Sequence, residues 1–284
     1  SMGSIVGHCT SILQDCTVRN CANYGKVSTS GTKVGNTVNF GGLVGVCTAQ
    51  STRCTIQNCL QVGDLNCAMT GVRTLNFGGI AGKTSKAVVE NCVLAASSAS
   101  YTMGTNGYYG AICGDIDGTS LNGCYWQRGT VQKACGSTSS SSVNIDYFST
   151  ELVLKSNVTV GDYTGPSVVE ALNAYTKVHT ERSLSPWASV ASGSTMTFTV
   201  NGVERRKLST KLVLFPSLAS SGKMSFVGWY ADADLTEPFP GQAVSASVTL
   251  YSAWDDRYWG KVFYVFLDVG PDARSIAPIQ AEYS

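Results

Sequence analysis

Eleven cysteines in 284 residues are the side chains with most chemistry to offer, because a thiol can bridge, ligate a metal or attack as its thiolate. Cys9 and Cys16 bracket a loop of six residues, and Cys47 and Cys54 bracket another of the same length. A repeated spacing fits a repeated loop-closing disulfide, and it fits equally a ladder of reduced thiols packed as small hydrophobes. An odd count leaves at least one thiol unpaired within the chain. Cys-x-x-Cys is absent and the only histidines, His8 and His179, fall in different parts of the chain, so no metal site is expected. Asp115-Ile-Asp117-Gly118 is at most a fragment of a calcium loop, without the later acidic ligands, and reads as a solvated turn.

What must position these residues is an internal repeat. Gly3-Ser-Ile-Val-Gly7-His-Cys9 with Cys16-Thr-Val-Arg-Asn-Cys21 returns 38 residues later as Gly41-Gly-Leu-Val-Gly45-Val-Cys47 with Cys54-Thr-Ile-Gln-Asn-Cys59. A third copy keeps Phe77-Gly-Gly-Ile-Ala-Gly82 and Val88-Val-Glu-Asn-Cys92, and a fourth keeps Tyr109-Gly-Ala-Ile-Cys-Gly114 and Leu121-Asn-Gly-Cys124. Short alternating or apolar runs, such as 38–44, 55–59 and 61–65, are separated by Gly, Ser, Thr and Asn, and no helical period appears. The repeat predicts a mainly β fold: a parallel β-helix (solenoid) of about four coils, each rising about 4.8 Å onto the next.

Stacked coils account for an unusual composition. Only 14% of residues are charged, with 30 glycines and a net charge of +1, whereas an ordinary soluble domain carries about a quarter charged residues. In a stack each inward position forms a column of like side chains. Cys21, Cys59, Cys92 and Cys124 make one such column, expected to be core and unpaired, and Ile5, Leu43, Ile80 and Ile112 make another. Asn20, Asn58 and Asn91 stack beside them, with Gly123 breaking the series. The near-neutral charge excludes a nucleic-acid partner by electrostatics, and the longest apolar run, 262–269, is too short to span a membrane and is interrupted by Asp268.

Phe-Gly-Gly-Leu-Val-Gly and Phe-Gly-Gly-Ile-Ala-Gly, each followed by an Asn-Cys strand, resemble the GLUG-type repeats of microbial surface and secreted proteins. The resemblance covers about residues 3–150 and implies an adhesive or scaffolding β-helix. After the Ser137–Ser142 run, Val168, Val169, Leu172 and Tyr175 fall on one face of a short helix that Pro166 can start, so 143–190, through Trp187, is expected to cap the last coil. A comparable Val-Val-Glu-Ala-Leu-Asn segment often follows GLUG-like repeats.

Four alternating runs follow, at 195–200, 212–215, 226–230 and 248–254, the first ending in an Asn201-Gly202 turn. Phe226-Val-Gly-Trp229-Tyr230, Leu235-Thr236-Glu-Pro238-Phe239 and Thr249-Leu-Tyr-Ser-Ala-Trp254 closely resemble the Listeria–Bacteroides (internalin B-type) repeat. That family implies a small β-grasp-like module strung along cell-surface proteins. The usual Asn-Gly-Gly after the first strand is here Asn201-Gly202-Val203. The expected organisation is therefore a β-helix over 1–142, its cap over 143–190, the repeat module over 191–255, and a strand-like tail over 256–284 that resembles the start of a further repeat.

Catalysis would need carboxylates converging on one face. Asp15, Asp64, Glu90, Asp115 and Asp117 fall at different repeat phases, and no nucleophile elbow, phosphate loop or dinucleotide fingerprint occurs. No catalytic or cofactor-binding residue is expected. Tyr108, Tyr109, Tyr125 and Trp126 are candidates for stacking on sugar, against burial beneath the cap. Asn157-Val-Thr159 is a glycosylation sequon that would matter only in a eukaryotic secretory protein. The expectation is a non-enzymatic, extracellular or cell-surface adhesin, stalk or scaffold that meets a protein or glycan, with a carbohydrate-active lyase or hydrolase, or a glycan-binding β-helix, as its rival.

Overall fold

The short runs of each repeat cannot bury their own apolar faces or satisfy their own backbone, so each pairs with the same run one repeat away. In the computed structural model, which describes residues 1–102, 104–137, 141–219 and 224–255, this produces a mainly β protein with parallel sheets, compatible with a β-helix-like fold. Val6–Ser11, Val44–Ala49, Ala81–Ser85 and Cys113–Asp117 form one parallel sheet in chain order. Thr37–Gly41, Thr74–Gly78 and Asn106–Gly110 form a second, and Val27–Thr32, Leu65–Thr70 and Ala99–Tyr101 a third. Cys16–Arg19, Cys54–Gln57, Ala87–Glu90 and Ser120–Gln127 lead a larger one.

Register follows the repeat residue for residue. Cys9 is the Cα partner of Cys47, Cys16 of Cys54, and Phe40 of Phe77, which in turn pairs with Tyr109. Leu43, Ile80 and Ile112 are fully buried as their column requires, while Ile5, in the first copy, is 47% exposed.

Two corner types turn the chain. Asn20, Asn58 and Asn91 hold φ of 54°, 53° and 52°, and Gly123 holds 60° at the same phase. Gly123 therefore continues the corner it seemed to interrupt, because the left-handed region is open to Gly and, among other residues, most readily to Asn. At the other corner a Cβ on Gly78 would lie 1.8 Å from the Ala81 carbonyl oxygen, so the approach excludes any side chain.

Beyond the repeats, Ser141–Phe148 extends the largest sheet in parallel, and Val153–Val160 and Tyr163–Ser167 form an antiparallel hairpin. The helix is Val168–Val178, capped by the Ser167 side chain accepting from Glu170 N, and it buries Val168, Val169, Leu172 and Tyr175 as the spacing predicts. Its surroundings differ from a lid on the last coil. Asn91 Nδ2 donates to Leu172 O at 3.3 Å, Asn20 Nδ2 to Ser183 O at 3.0 Å and Asn58 Nδ2 to Ser185 O at 2.9 Å, so the segment runs along the Asn corners of the first three repeats.

The chain divides into two units: residues 1–192 with 210–216 and 241–244, and a second built from 193–209, 217–240 and the remainder from 245. The expected module began at 191, and the second unit begins at 193. Leu212–Leu214, expected in the module, pairs instead with Trp187–Val190, whose other neighbour is Ala243–Val244. Leu212, Val213 and Leu214 are all buried there, so both faces of this short strand are covered although it lies at the end of its three-stranded sheet. The second unit holds a four-stranded sheet, ordered Val203–Leu208, Met196–Val200, Val248–Asp255, Ser225–Tyr230. Asn201 and Gly202, with φ of 51° and 76°, form its hairpin turn, and Trp229 packs edge-on to Phe198 and Phe226. The tail proposed over 256–284 lies outside the described residues.

Candidate functional site

The loop cysteines do not behave alike. Cys9 and Cys16 form a disulfide, their Cα atoms 6.8 Å apart. Cys47 and Cys54 are free, which corrects the expectation of a second bridge. Each is instead in thiol contact with the other, and the Cys54 sulfur also sits 3.7 Å from that of Cys9. The Cys47 thiol is held above its ordinary range by its bond to Cys54 and by burial. The Cys54 thiol is lowered by the bond from Cys47, against the effect of burial, with help from the Thr48 backbone N–H.

The column Cys21, Cys59, Cys92 and Cys124 is free throughout, with all but Cys21 buried. Each thiol faces a backbone carbonyl two residues earlier, Cys59 that of Gln57 at 3.1 Å and Cys92 that of Glu90 at 3.1 Å. Burial first, then the neighbouring Cys124 and Cys59 thiols, pushes Cys92 well above the ordinary thiol range, so it stays protonated. These are structural thiols. Alone in another column, Cys67 is pushed up to about 11 by burial.

Beside this column the asparagine amides form a continuous chain: Asn91 Nδ2 donates to Asn58 Oδ1, and Asn58 Nδ2 to Asn20 Oδ1, each at 2.7 Å. The ladder was legible in the repeat. Its second role was not, since non-repeating residues also use it.

The aromatic candidates separate. Tyr109 and Trp126 line a cleft of about 780 Å³ together with Tyr101, Tyr147, Arg128 and Lys133. Tyr108 alternates to the outside of its strand, 41% exposed, and is no part of the cleft. Tyr125 is fully buried, in a core cluster with Leu60, Phe148 and Trp187. Burial removes Tyr125 as a stacking residue, while Tyr108, exposed on the opposite side of its strand, stands apart from the cleft.

Tyr101 stacks on Tyr109 with centroids 4.5 Å apart and 12° between planes, continuing the Phe40–Phe77 stack of the repeats below. Trp126 Nε1 donates to Val131 O at 3.1 Å, which fixes the indole, and Tyr147 lies 5.9 Å from it. Arg128 stands over the Tyr147 ring at 5.7 Å and Lys155 at 5.5 Å. The cleft thus combines aromatic edges and faces with two lining cations and, among its described lining residues, no carboxylate. Tyr101 and Tyr147 carried no signal as site residues because neither belongs to a motif copied between repeats.

The acidic side chains of the repeats are held by neighbouring strands. Asp115 accepts from Lys83 Nζ at 2.7 Å and Asp117 from Ser85 Oγ at 2.9 Å, so the fragment read as a turn is a surface ladder. Glu90 accepts from Arg182 at 2.7 Å and from Gln57 at 3.0 Å. Asp64 accepts from Ser97 Oγ and Ser98 N, which lowers its pKa, and Asp15 accepts from Arg53 N. Three other carboxylates, Glu151, Asp162 and Glu170, line a second cleft of about 790 Å³ with Tyr163 and Lys177. Burial raises the Tyr163 hydroxyl pKa.

Among the described residues no helix is long and apolar enough to cross a membrane. Comparison with protein-family models, with curated proteins and with solved structures finds no match to this chain.

Proposed function

We propose that the repeat half is a parallel β-helix of about four GLUG-type coils, covered along one flank by the Val168–Val178 segment, with a Listeria–Bacteroides-type β-grasp-like module after it. On this reading the protein is a non-catalytic adhesin or scaffold element of a secreted or cell-surface protein. Its low charge and carboxylates held by neighbouring side chains and backbone suit a rigid presenting surface. The observation that carries the reading is the cleft of Tyr101, Tyr109, Trp126 and Tyr147, which offers sugar rings apolar faces beside the cations Arg128 and Lys133 and, among its described lining residues, has no carboxylate. Stacking with charge-assisted hydrogen bonds favours an oligosaccharide carrying carboxylate or sulfate groups.

A glycan array followed by calorimetry on the hits tests it. Binding to acidic oligosaccharides, weakened at least about tenfold by Arg128→Ala or Tyr147→Ala, is the expected result, a loss of about 1.4 kcal/mol. An array without hits, or binding indifferent to both substitutions, removes the glycan reading.

The rival reading, a carbohydrate lyase or hydrolase, draws on the second cleft, where Glu151, Asp162 and Glu170 stand with Tyr163. Paired carboxylates are the groups glycoside cleavage uses. Release of new reducing ends or unsaturated uronates from polysaccharides, abolished by Glu170→Gln, would favour it over the scaffold.

A further inference from the structure

Three sulfurs from two consecutive repeats meet in one place, and a fourth is bridged to one of them. Cys9 and Cys47 are direct partners on the Val6–Ser11 and Val44–Ala49 strands, and Cys16 and Cys54 are partners on Cys16–Arg19 and Cys54–Gln57. The sulfurs of Cys9, Cys47 and Cys54 all lie within 4.8 Å of one another, Cys9 to Cys54 at 3.7 Å. Cys16 belongs to the same knot through its bridge to Cys9. A zinc ion with four thiolates at about 2.3 Å places neighbouring sulfurs roughly 3.8 Å apart, the edge of the tetrahedron.

Burial and composition of the surroundings fit a closed structural site. Cys47 and Cys54 are 0% exposed and Cys9 is 6% exposed, while half-buried Cys16 leaves a way in. The third repeat ends the cluster, because Thr84 stands over Cys47 and Ala87 over Cys54. Two repeats therefore supply four thiols and the next supplies none. A motif search by Cys-x-x-Cys misses this site, since ligand pairs come from adjacent coils 38 residues apart.

We propose that in the reduced chain Cys9, Cys16, Cys47 and Cys54 together bind one thiophilic divalent cation of the zinc class. Metal and bridge are alternatives, because the Cys9–Cys16 disulfide withholds two of the four ligands. A phosphine reductant opens the bridge, delivering two electrons and gaining an oxygen from water, and water supplies the two thiol protons. Cation binding then releases up to four protons from the four thiols. This inference is independent of the adhesive reading, since it concerns metal stoichiometry and not glycan affinity.

The test uses the whole chain, reduced with a phosphine and kept under nitrogen. Zinc and, separately, cobalt(II) are titrated in, with X-ray absorption at the zinc edge. The expected result is one equivalent bound, the ligand-field bands of tetrahedral cobalt thiolate, and a shell of four sulfurs at about 2.3 Å. Cys16→Ser, at the half-buried position, should drop the shell to three sulfurs and lower affinity by more than the roughly 10- to 100-fold typical of outer-shell changes. Cys124→Ser, in the separate column, should leave stoichiometry unchanged. No stoichiometric uptake by the reduced wild-type chain overturns the proposal, as does a zinc shell of nitrogen and oxygen or one indifferent to Cys16→Ser.

Discussion

The Trp187 indole Nε1 donates a 2.7 Å hydrogen bond to Asn58 Oδ1, at a corner where Asn58 also accepts from Asn91 and donates to Asn20 and Ser185. One buried amide joins three repeats to the segment that follows them. Trp187 and Asn58 are both 0% exposed, so neither can turn to water if the other is lost.

Substitution at Asn58 should separate its two roles. Asn58→Gly keeps the left-handed corner but strands the indole N–H and the Ser185 carbonyl, at a cost of about 3 kcal/mol. Asn58→Ala adds the left-handed penalty, about 1–2 kcal/mol more. Denaturant unfolding checks both, and an alanine variant as stable as the glycine variant would refute the corner argument.

Glycines of the tight corners should be intolerant where loop glycines are not. Gly78→Ala places a methyl 1.8 Å from the Ala81 carbonyl oxygen, which should cost more than about 4 kcal/mol or prevent folding. Gly129, at φ 95°, faces open space, where an added Cβ would meet nothing within 4 Å. The same change there should lose only about 1–2 kcal/mol. Soluble yield and thermal midpoint of the two variants provide the comparison.

Among the described residues the buried Tyr125 hydroxyl has no hydrogen-bond partner, and burial raises its pKa, with smaller contributions from Cys124, Tyr163 and Asp146. Tyr125→Phe removes a desolvated polar atom while keeping the ring. Stability should hold or rise by up to about 1 kcal/mol. A loss above about 1 kcal/mol would mean that the hydroxyl has a partner worth keeping.

Asp64 should contribute to the acid limb of stability. Hydrogen bonds from Ser97 Oγ and the Ser98 N–H lower its pKa below the ordinary 3.8. A depressed folded-state value means stability that is present above about pH 3.8 and lost as pH falls through the folded value. Asp64→Asn, which removes the titrating charge, should lose that increment near neutrality, converge with the wild type by about pH 2, and flatten the thermal midpoint between about pH 4 and pH 2. Identical acid profiles would assign the limb to other carboxylates.

Much of the repeat half is legible in the residues alone. The column Leu43, Ile80, Ile112 and the Asn20, Asn58, Asn91 ladder both occupy the phases that the copied motifs assign. The helix is legible too, from the four apolar positions between Val168 and Tyr175. The cleft is half legible: Trp126 and Tyr109 are candidates, but Tyr125 and Tyr108 are indistinguishable from them by residue type. Adjacent residues on a strand point to opposite faces, and which face is interior depends on what covers it.

By itself the sequence determined the register between the repeats, because a repeat is a translation: once two copies align, the residues paired between them are assigned. Gly123 in place of an asparagine was written there as well, since few residues accept a left-handed corner. Only the tertiary structure decided the contacts that do not repeat. Leu212–Leu214 left its neighbours for Trp187–Val190, Trp187 found Asn58, and Cys9, Cys47 and Cys54, from two separate loops, came together as one cluster of sulfurs with Cys16 bridged to Cys9. Those meetings run between segments that share no period, and such contact depends on how the segments pack.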